Sequence, residues 1–420
     1  MAQHDQLARS RGSTTATDAD ATPAQPTGGL KGVPRNVVVL GIVSLFADIS
    51  GEMAYPIIPL FLTGTLGAPV IAVGIIEGVA ESTASLFKWI FGWFSDKIAR
   101  RVPFTVAGYA LAAAAKPALA AAYAWPVVLL VRFGDRAGKG IRTAPRDSLI
   151  AESTDASVRG RAFGLHRAMD TSGAIVGPLA ALGLLAWFGG HNYRPIFLIA
   201  GIPGAISVLL LLAVREIKHE PSEKTLPPLL SLRGYDQRFL TFVAVTLIFA
   251  IGNSSDAFLI LRSRDLGLSA TAVVFAYVLY NISYASLSLP AGIRSDKIGR
   301  KPLLVAGFAV FALVYAGFAL ATDGWMAWPL FAVYGGYIAL TDGIGKAYVA
   351  DLVPAERRGT AMGLYNASTG ITLLLSSTIG GALWHFAGPP ATFAFGAIMA
   401  ALAAIALLVI PTRQISESPR

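Results

Sequence analysis

The sequence predicts an all-α membrane protein in which twelve transmembrane helices form two six-helix halves. Of its 420 residues, 54% are hydrophobic and only 14% are charged, and the mean hydropathy is +0.59. Soluble domains carry about 25% charged residues, so most of this chain must face lipid or other apolar helices. Long apolar stretches alternate with short polar ones, and two motifs recur about 200 residues apart.

Each crossing of a bilayer takes roughly 20 apolar residues, and this length sets the predicted helices. Predicted helices 1 to 6 are 36–63, 69–94, 102–124, 126–149, 160–188 and 193–214. Predicted helices 7 to 12 are 237–262, 269–292, 302–321, 325–349, 359–387 and 390–411. They divide the chain into a six-helix bundle at 35–214, a linker at 215–236, a second bundle at 237–411 and a tail at 412–420.

The polar segment 1–34 has no apolar core, which predicts a disordered N-terminus without a cleavable signal peptide. Orientation follows from the excess of Lys and Arg in cytoplasmic loops. The basic loops hold Lys97, Arg100, Arg101, Arg159, Arg161, Lys297, Arg300, Lys301, Arg357 and Arg358. This pattern predicts that both termini are cytoplasmic.

Composition also excludes several classes of protein. The chain has no cysteine, so disulfides and thiolate metal sites are absent. We find no metal motif, P-loop or nucleotide fingerprint, which argues against an enzyme, a cofactor and ATP-driven transport. The net charge of +9 lies in short loops between apolar segments, so it indicates membrane topology rather than nucleic-acid binding.

An internal repeat relates the two halves. Gly92-Trp-Phe-Ser-Asp96-Lys97-Ile-Ala-Arg100-Arg101 recurs 200 residues later as Gly292-Ile-Arg-Ser-Asp296-Lys297-Ile-Gly-Arg300-Lys301. A second run, which begins at Arg159-Gly160, recurs 199 residues later at Arg358-Gly359. Two matches at nearly one offset indicate a duplicated six-helix unit, and transporters place their site between such repeats near the bilayer midplane.

The repeated loop motif resembles the signature loop of the major facilitator superfamily (MFS), which repeats it between helices 8 and 9. The resemblance covers about residues 36–411 and implies the MFS fold with transport by alternating access. It also implies gating loops that hold the cytoplasmic side closed, and in the first of them Arg100 is expected to bridge to a neighbouring helix. Their residues here are Gly92, Asp96, Lys97, Arg100, Arg101, Gly292, Asp296, Lys297, Arg300 and Lys301. The first copy departs from the pattern at Ala99, where Gly is usual, and this could alter the turn.

Predicted helix 5 carries Gly173-x-x-x-Gly177-Pro178. The motif resembles that of drug–proton antiporters in the superfamily, although Ala180 and Ala181 stand where the family motif ends in Gly-Gly. Ordinary packing of small residues between helices explains the same spacing. Runs around Asp48, Asp135 and Asn253 also resemble a group of bacterial facilitator permeases, which implies the bacterial inner (plasma) membrane.

Ionisable residues inside a bilayer are expensive, so each is a candidate for function. Asp48 and Glu52 lie one turn apart on predicted helix 1 and cannot both ionise easily in a low dielectric. Glu81 on predicted helix 2 is a second proton candidate. Pro56 removes the hydrogen bond to the Glu52 carbonyl, so predicted helix 1 should kink there.

Predicted helix 4 carries a stripe of charge at three- and four-residue spacing. Its residues are Arg132, Asp135, Arg136, Lys139, Arg142 and Arg146. One interpretation is a cationic track for an anionic substrate. The other, which we favour, is internal pairing with Asp48, Glu52, Glu81 and Asp170 on facing helices. His166 on predicted helix 5 is interpreted as a solvated histidine near the loop.

The second half is poorer in charge, and Asn253, Asp256 and Asn281 are its main candidates for the substrate site, with Asp342 and Lys346 also inside predicted helices. Aromatic residues accompany them on predicted helices 8 and 10: Tyr277, Tyr280, Tyr284, Tyr334 and Tyr337. These rings could line a cavity for an organic molecule or pack between helices.

The sequence as a whole predicts a proton-coupled secondary transporter of small organic molecules, with efflux favoured. Its expected partners are the substrate, protons and the lipid bilayer, and a monomer is expected. Two alternatives stay open: uptake or exchange of an anionic metabolite along the basic stripe, and a membrane sensor on a transporter fold. A sensor would need a soluble output domain, and none is visible.

Overall fold

The computed structural model describes residues 33–155, 158–217, 235–354 and 357–409. The predicted disordered N-terminus, most of the predicted linker and the predicted tail lie outside these residues. The described residues form twelve long helices and no strand. The all-α class and the number of helices predicted from the sequence are therefore confirmed.

The helices are numbered in chain order. The first half contains α1 (Arg35–Thr65), α2 (Val70–Ile98), α3 (Val102–Ala121), α4 (Trp125–Glu152), α5 (Arg159–Trp187) and α6 (Arg194–Ala213). The second half contains α7 (Gln237–Asp265), α8 (Ala270–Ile298), α9 (Arg300–Leu320), α10 (Ala327–Asp351), α11 (Arg358–Ala387) and α12 (Pro389–Val409).

Ten of these helices are long and apolar enough to cross a membrane. The other two, α4 and α10, are also long, at 28 and 25 residues, but they carry charged residues among their apolar ones. Each lies beside helices that do qualify, since α4 packs on α2 and α3, and α10 packs on α8 and α9. The chain is thus a multi-pass membrane protein.

The same helix pairs pack in both halves. In the first half α1 contacts α5 and α6, α2 contacts α4, and α3 contacts α4 and α6. In the second half α7 contacts α11 and α12, α8 contacts α10, and α9 contacts α10 and α12. The repeat read from the sequence therefore corresponds to a repeated three-dimensional arrangement.

Two predicted boundaries were wrong. Predicted helices 2 and 8 end at residues 94 and 292, whereas α2 continues to Ile98 and α8 to Ile298. As a result Asp96, Lys97, Asp296 and Lys297 lie in the last helical turns and not in loops. Helical spacing of apolar residues continues through this region, so no signal in the pattern stopped the helix before Ala99 and Gly299.

The first helix of each half is interrupted. In α1, regular α-helix ends at Ala54 and a 3₁₀ turn spans Tyr55–Ile57, so the regular helical hydrogen bonding is interrupted at Pro56, where a kink was predicted. In α7, α-helix ends at Gly252 and resumes at Ala257. The second interruption was not predicted, although the run Asn253-Ser-Ser-Asp256 carries the side chains that compete with helical hydrogen bonds.

Alternating helices bring the basic loops and both described termini to one end of the bundle. Lys301 at the start of α9 donates to the carbonyl oxygen of Leu408 at the end of α12, over 3.2 Å. Asn36 at the start of α1 donates to the Arg215 carbonyl oxygen after α6, over 3.0 Å. We call this the basic end, and the other end of the helices the opposite end.

The two halves meet along α2 with α11 and along α5 with α8. The α2–α11 contact is made largely of backbone. A Cβ at Gly74 would lie 2.2 Å from the Ser377 carbonyl oxygen, and one at Gly381 would lie 2.9 Å from Ile71 Cα. Only glycine permits this approach at these positions. The two glycines in the sequence therefore specify this close contact between the halves.

Candidate functional site

A buried ion pair joins α2 to α4. Arg132 places both terminal nitrogens near carboxylates: Nη2 lies 2.8 Å from each oxygen of Glu77, and Nη1 lies 3.2 Å from Asp135. The Arg132 and Glu77 side chains are only 3% and 1% exposed. Such a bidentate pair satisfies two charges that the bilayer would otherwise penalise. It supports a structural role for Glu77.

A second pair joins α3 to α4. The Lys116 ammonium lies 2.5 Å from Asp135, and the lysine side chain is 6% exposed. The sequence analysis missed Lys116, although a single lysine in the middle of an apolar helix is a signal that could have found it. Asp135 thus has two cationic partners on different helices, and it ties α3 to the charged stripe of α4.

The remaining charges of the α4 stripe differ in how they are satisfied. Arg136 pairs with Glu81 over 2.9 Å. Arg142 stacks on Tyr109 with its guanidinium carbon 3.9 Å from the ring centre, and its Nε has no hydrogen-bond partner. Lys139 is exposed and has no ion pair within the described parts of the chain. Internal pairing, the interpretation favoured from the sequence, therefore holds for Arg136 but leaves Lys139 open.

These charged groups surround a small polar cavity inside the first half. It measures about 40 Å³ and is lined by α1, α3, α4 and α6. Its lining includes Asp48, Glu52, Tyr55, Lys116, Asp135 and Lys139. A cavity of this size holds about three water molecules, since each needs roughly 10–15 Å³. It is too small for an organic substrate.

Asp48 of α1 and Asp170 of α5 form a carboxyl pair. Their carboxyl groups lie within hydrogen-bonding reach of each other. Gly173, one turn along α5, makes room for this contact, because a Cβ there would lie 2.9 Å from Asp48 Cβ. Two ionised carboxylates have no donor, so a hydrogen bond between them requires a proton on one of them.

Glu52 reaches across to the second half. It accepts a hydrogen bond of 3.1 Å from the Tyr277 hydroxyl of α8. Gly177 of α5 lies beneath it, and a Cβ at this position would lie 2.8 Å from Glu52 Cβ. The glycines of the helix 5 motif therefore act in helix packing, and the residues they pack against are the two acids of α1.

Tyrosines satisfy the polar groups of the second half. Tyr334 donates to Asp256 over 2.7 Å, and Asn253 donates to the Tyr337 hydroxyl over 3.1 Å. The ring centres of Tyr334 and Tyr337 lie 5.2 Å apart, and both rings are buried. In this conformation the aromatic residues pack between helices. Asn281 bonds the carbonyl oxygen of its own helix at Tyr277.

Arg167 of α5 bridges the halves nearer the basic end. Its guanidinium donates to the Tyr284 hydroxyl over 2.8 Å and lies 3.8 Å from Asp342 of α10. The same guanidinium lies 3.6 Å from Asp170 on its own helix. Arg167 thus contacts the carboxyl pair of the first half and an acid of the second.

His166 was wrongly interpreted as a solvated residue. It is only 5% exposed, and its Nε2 forms a hydrogen bond of 2.8 Å with the Ser44 hydroxyl of α1. Position near a helix end suggested solvent, but α1 and α5 pack closely enough here to cover the ring. His166 therefore belongs to the α1–α5 contact.

Arg101, and not Arg100, makes the bridge expected of the first gating loop. It pairs with Asp96 over 2.8 Å and with Glu152 of α4 over 2.6 Å. In the second loop Arg300 forms the equivalent ion pairs, with Asp296 over 2.5 Å and with Asp351 of α10 over 3.4 Å. These ion pairs of the two loops stay within their own half.

The residue that departs from the motif explains the shift from Arg100 to Arg101. Ala99 adopts φ 57° and ψ 34°, the left-handed region that a residue with a Cβ can occupy. Gly299 adopts φ 90° and ψ 159°, a region essentially restricted to glycine. After Gly299 the next helix, α9, begins at the following residue, Arg300. After Ala99 the next helix, α3, begins only at Val102.

Comparison with known proteins places this arrangement in a family. The Major Facilitator Superfamily matches residues 40–261 and 239–420. The chain is 36% identical over 382 residues to an MFS-type transporter of Methanocaldococcus jannaschii, covering 90% of this chain and 95% of that protein. It is also 27% identical to a class C tetracycline resistance protein of Escherichia coli, over 82% of this chain and 88% of the relative.

Solved structures agree on the fold. A nucleoside transporter superimposes with a TM-score of 0.71 at 15% identity, covering 89% of this chain and 98% of that one. A POT family transporter in complex with 5-aminolevulinic acid gives a TM-score of 0.77 at 13% identity, covering 91% and 97%. With twelve helices in two repeated halves and a family match over nearly its whole described length, the chain belongs to the Major Facilitator Superfamily of secondary transporters.

Proposed function

We propose that this transporter is proton-coupled and exports small organic molecules, that Asp48 and Asp170 hold a coupling proton between them, and that Glu52 of the same helix also exchanges a proton. The observation that carries the proposal is their carboxyl pair, because its hydrogen bond exists only while one carboxyl group is protonated. Loss of that proton leaves two like charges in contact and pushes α1 and α5 apart.

Arg167 supplies a path from this proton to the other half. When the pair is protonated, Arg167 shares its charge between Asp170 and Asp342. When the proton leaves, the extra negative charge on the pair draws Arg167 toward the first half and weakens its contacts with Tyr284 and Asp342. The proton thereby changes the relative free energy of two arrangements of the halves, as coupling requires.

The membrane arrangement of the proposal follows from charge. The basic end faces the cytoplasm of a bacterial inner membrane, because lysine and arginine accumulate in cytoplasmic loops. Toward this end the inner faces of the halves expose Lys88, Lys139 and Lys346, whereas Ile58 and Ile260 near the opposite end are buried. The substrate would therefore enter between the halves from the cytoplasm. Export is favoured by the likeness to tetracycline resistance proteins.

Proton movement in everted membrane vesicles tests the proposal. A pH gradient is imposed, and a panel of organic cations and anions is added to vesicles that hold wild-type protein, Asp48→Asn or Asp170→Asn. A substrate should dissipate the gradient in wild type and in neither variant. Asp323→Asn is the matched control, since the Asp323 carboxylate accepts a hydrogen bond from its neighbour Thr322 in a loop at the opposite end. Wild-type dissipation in Asp48→Asn would overturn the proton assignment.

A second candidate function is exchange of an anionic metabolite. It is favoured by Lys139, an exposed cation that lines the polar cavity and has no ion pair among the described residues. For an anionic substrate, Lys139→Ala should abolish binding, whereas Arg136→Ala should weaken it less because Arg136 is already paired with Glu81. For a cationic substrate, removing either positive charge should leave binding unchanged or improved.

A further inference from the structure

An apolar groove lies on the outer face of the second half. It measures about 440 Å³ and runs between α8, α9 and α10 toward the basic end. Leu287, Ala291 and Ile298 of α8 form one wall, with Leu303 of α9 and Leu340 of α10 opposite them. From Leu287 to Ile298 the helical rise gives a length of roughly 16 Å, which suits an extended acyl chain.

In the first half, aromatic side chains stand at the positions equivalent to this groove. The positions 200 residues before Leu287, Ala291 and Arg294 are Phe87, Phe91 and Phe94. Their rings fill the equivalent space: Phe87 and Phe91 lie 5.6 Å apart, and Phe94 lies 5.5 Å from Phe104 of α3. Two halves with the same packing thus differ at one surface, where three aromatic rings are replaced by a leucine, an alanine and an arginine.

Arg294 lines the groove one helical turn before Ile298, near the basic end. It is exposed and forms no ion pair in the parts of the chain that the structure describes. It lies four residues before the end of α8, roughly 6 Å from the helix terminus, which is the depth of lipid headgroups. The groove therefore offers an apolar slot for a chain and a free positive charge where a headgroup phosphate would lie.

We propose that this groove binds one anionic phospholipid, with an acyl chain between α8 and α10 and its phosphate on Arg294. A zwitterionic lipid would fill the slot but would leave its own cation beside the guanidinium. The site lies on the second half only, because Phe94 takes the place of the arginine in the first.

Native mass spectrometry of the purified protein with phosphatidylglycerol or phosphatidylethanolamine tests this site. Wild type should retain phosphatidylglycerol in preference to phosphatidylethanolamine. Arg294→Gln should weaken phosphatidylglycerol retention about fivefold, the effect of one basic residue near a membrane surface. Ala291→Phe copies the first half and should block the slot without changing the charge.

Arg238→Gln is the control, since Arg238 is an exposed arginine at the same end that does not line the groove. It should retain phosphatidylglycerol like wild type. Equal retention of the two lipids by wild type, or unchanged retention in Arg294→Gln, would overturn the proposal. The groove would then hold any bilayer lipid without selecting an anionic one. Because Arg294 is exposed, its substitution should not prevent folding, so this outcome can be read even if Ala291→Phe misfolds.

Discussion

The hydroxyl groups of Tyr55 and Ser255 lie 3.5 Å apart across the two halves. The residues are 200 positions apart in the chain, and each stands where the first helix of its half is interrupted. The guanidinium carbons of Arg132 and Arg136 also lie over the Tyr55 ring, 5.7 Å and 5.9 Å from its centre. The interruptions thus bring the charged network of one half against the polar turn of the other.

Tyr55→Leu should loosen the opposite end. The change removes the hydroxyl contact and the ring that faces the two arginines, whereas Tyr55→Phe keeps the ring. Because the chain has no cysteine, one cysteine at Ile260, which is buried, can report opening by its rate of labelling with a water-soluble maleimide. Labelling should rise in Tyr55→Leu and change little in Tyr55→Phe. Equal rates in all three proteins would contradict a closing role for Tyr55.

Glu52→Gln should keep substrate binding and lose gradient-driven transport. The glutamine oxygen still accepts the hydrogen bond from Tyr277, so the contact between halves survives, but the amide cannot exchange a proton. Tyr277→Phe is the complementary variant, since it removes the hydrogen bond and keeps the carboxyl group. Binding by isothermal calorimetry and uptake into energised vesicles separate the two effects. Full gradient-driven transport by Glu52→Gln would remove Glu52 from proton coupling.

Gly177→Ala should destabilise the protein, whereas Gly183→Ala on the same helix should not. A Cβ at Gly177 would lie 2.8 Å from both Glu52 Cβ and the Ile49 carbonyl oxygen, but one at Gly183 meets nothing within 4 Å. Overpacking costs about 1–3 kcal/mol. Alanine in an open helical position gains up to about 1 kcal/mol over glycine. Thermal unfolding in detergent should therefore move in opposite directions for the two variants.

Arg101→Ala should lower stability, and Arg100→Ala should leave it nearly unchanged. Arg101 is 6% exposed and pairs with Asp96 and Glu152, so its removal breaks two ion pairs made by a buried guanidinium group. We expect a loss between about 1 and 3 kcal/mol, between the values for exposed and buried pairs. Chemical unfolding of the two variants measures the difference. A larger effect from Arg100→Ala would show that the first loop follows the family pattern after all.

The sequence predicted the helices well because each bilayer crossing needs a long apolar run. It missed what depends on three-dimensional neighbours. Asp48 and Asp170 were both candidates, but their mutual contact could not be read from positions 122 residues apart on different helices. Lys116 was overlooked, and Arg132 was assigned no definite acid, because helical periodicity gives the face of a residue but not the helix opposite.

The loops show a second limit. Alignment of the two motif copies equates Arg100 with Arg300, but Ala99 is left-handed and Gly299 adopts a positive-φ conformation that only glycine favours, so the next helices start at different points. One changed residue therefore moves the bridging role to Arg101. Sequence alone shows the departure at Ala99, and only the backbone conformation shows its effect.

The backbone contact between α2 and α11 has a mechanical consequence. At Gly74 and Gly78 of α2 and Gly381 of α11 the two helices meet through backbone atoms, which slide past each other without a change of rotamer. Steric resistance to rocking is therefore low along this line. The free-energy barrier to switching comes instead from a few polar contacts between the halves. Among them are the hydrogen bonds of Glu52 and Arg167, which must break and re-form in each cycle.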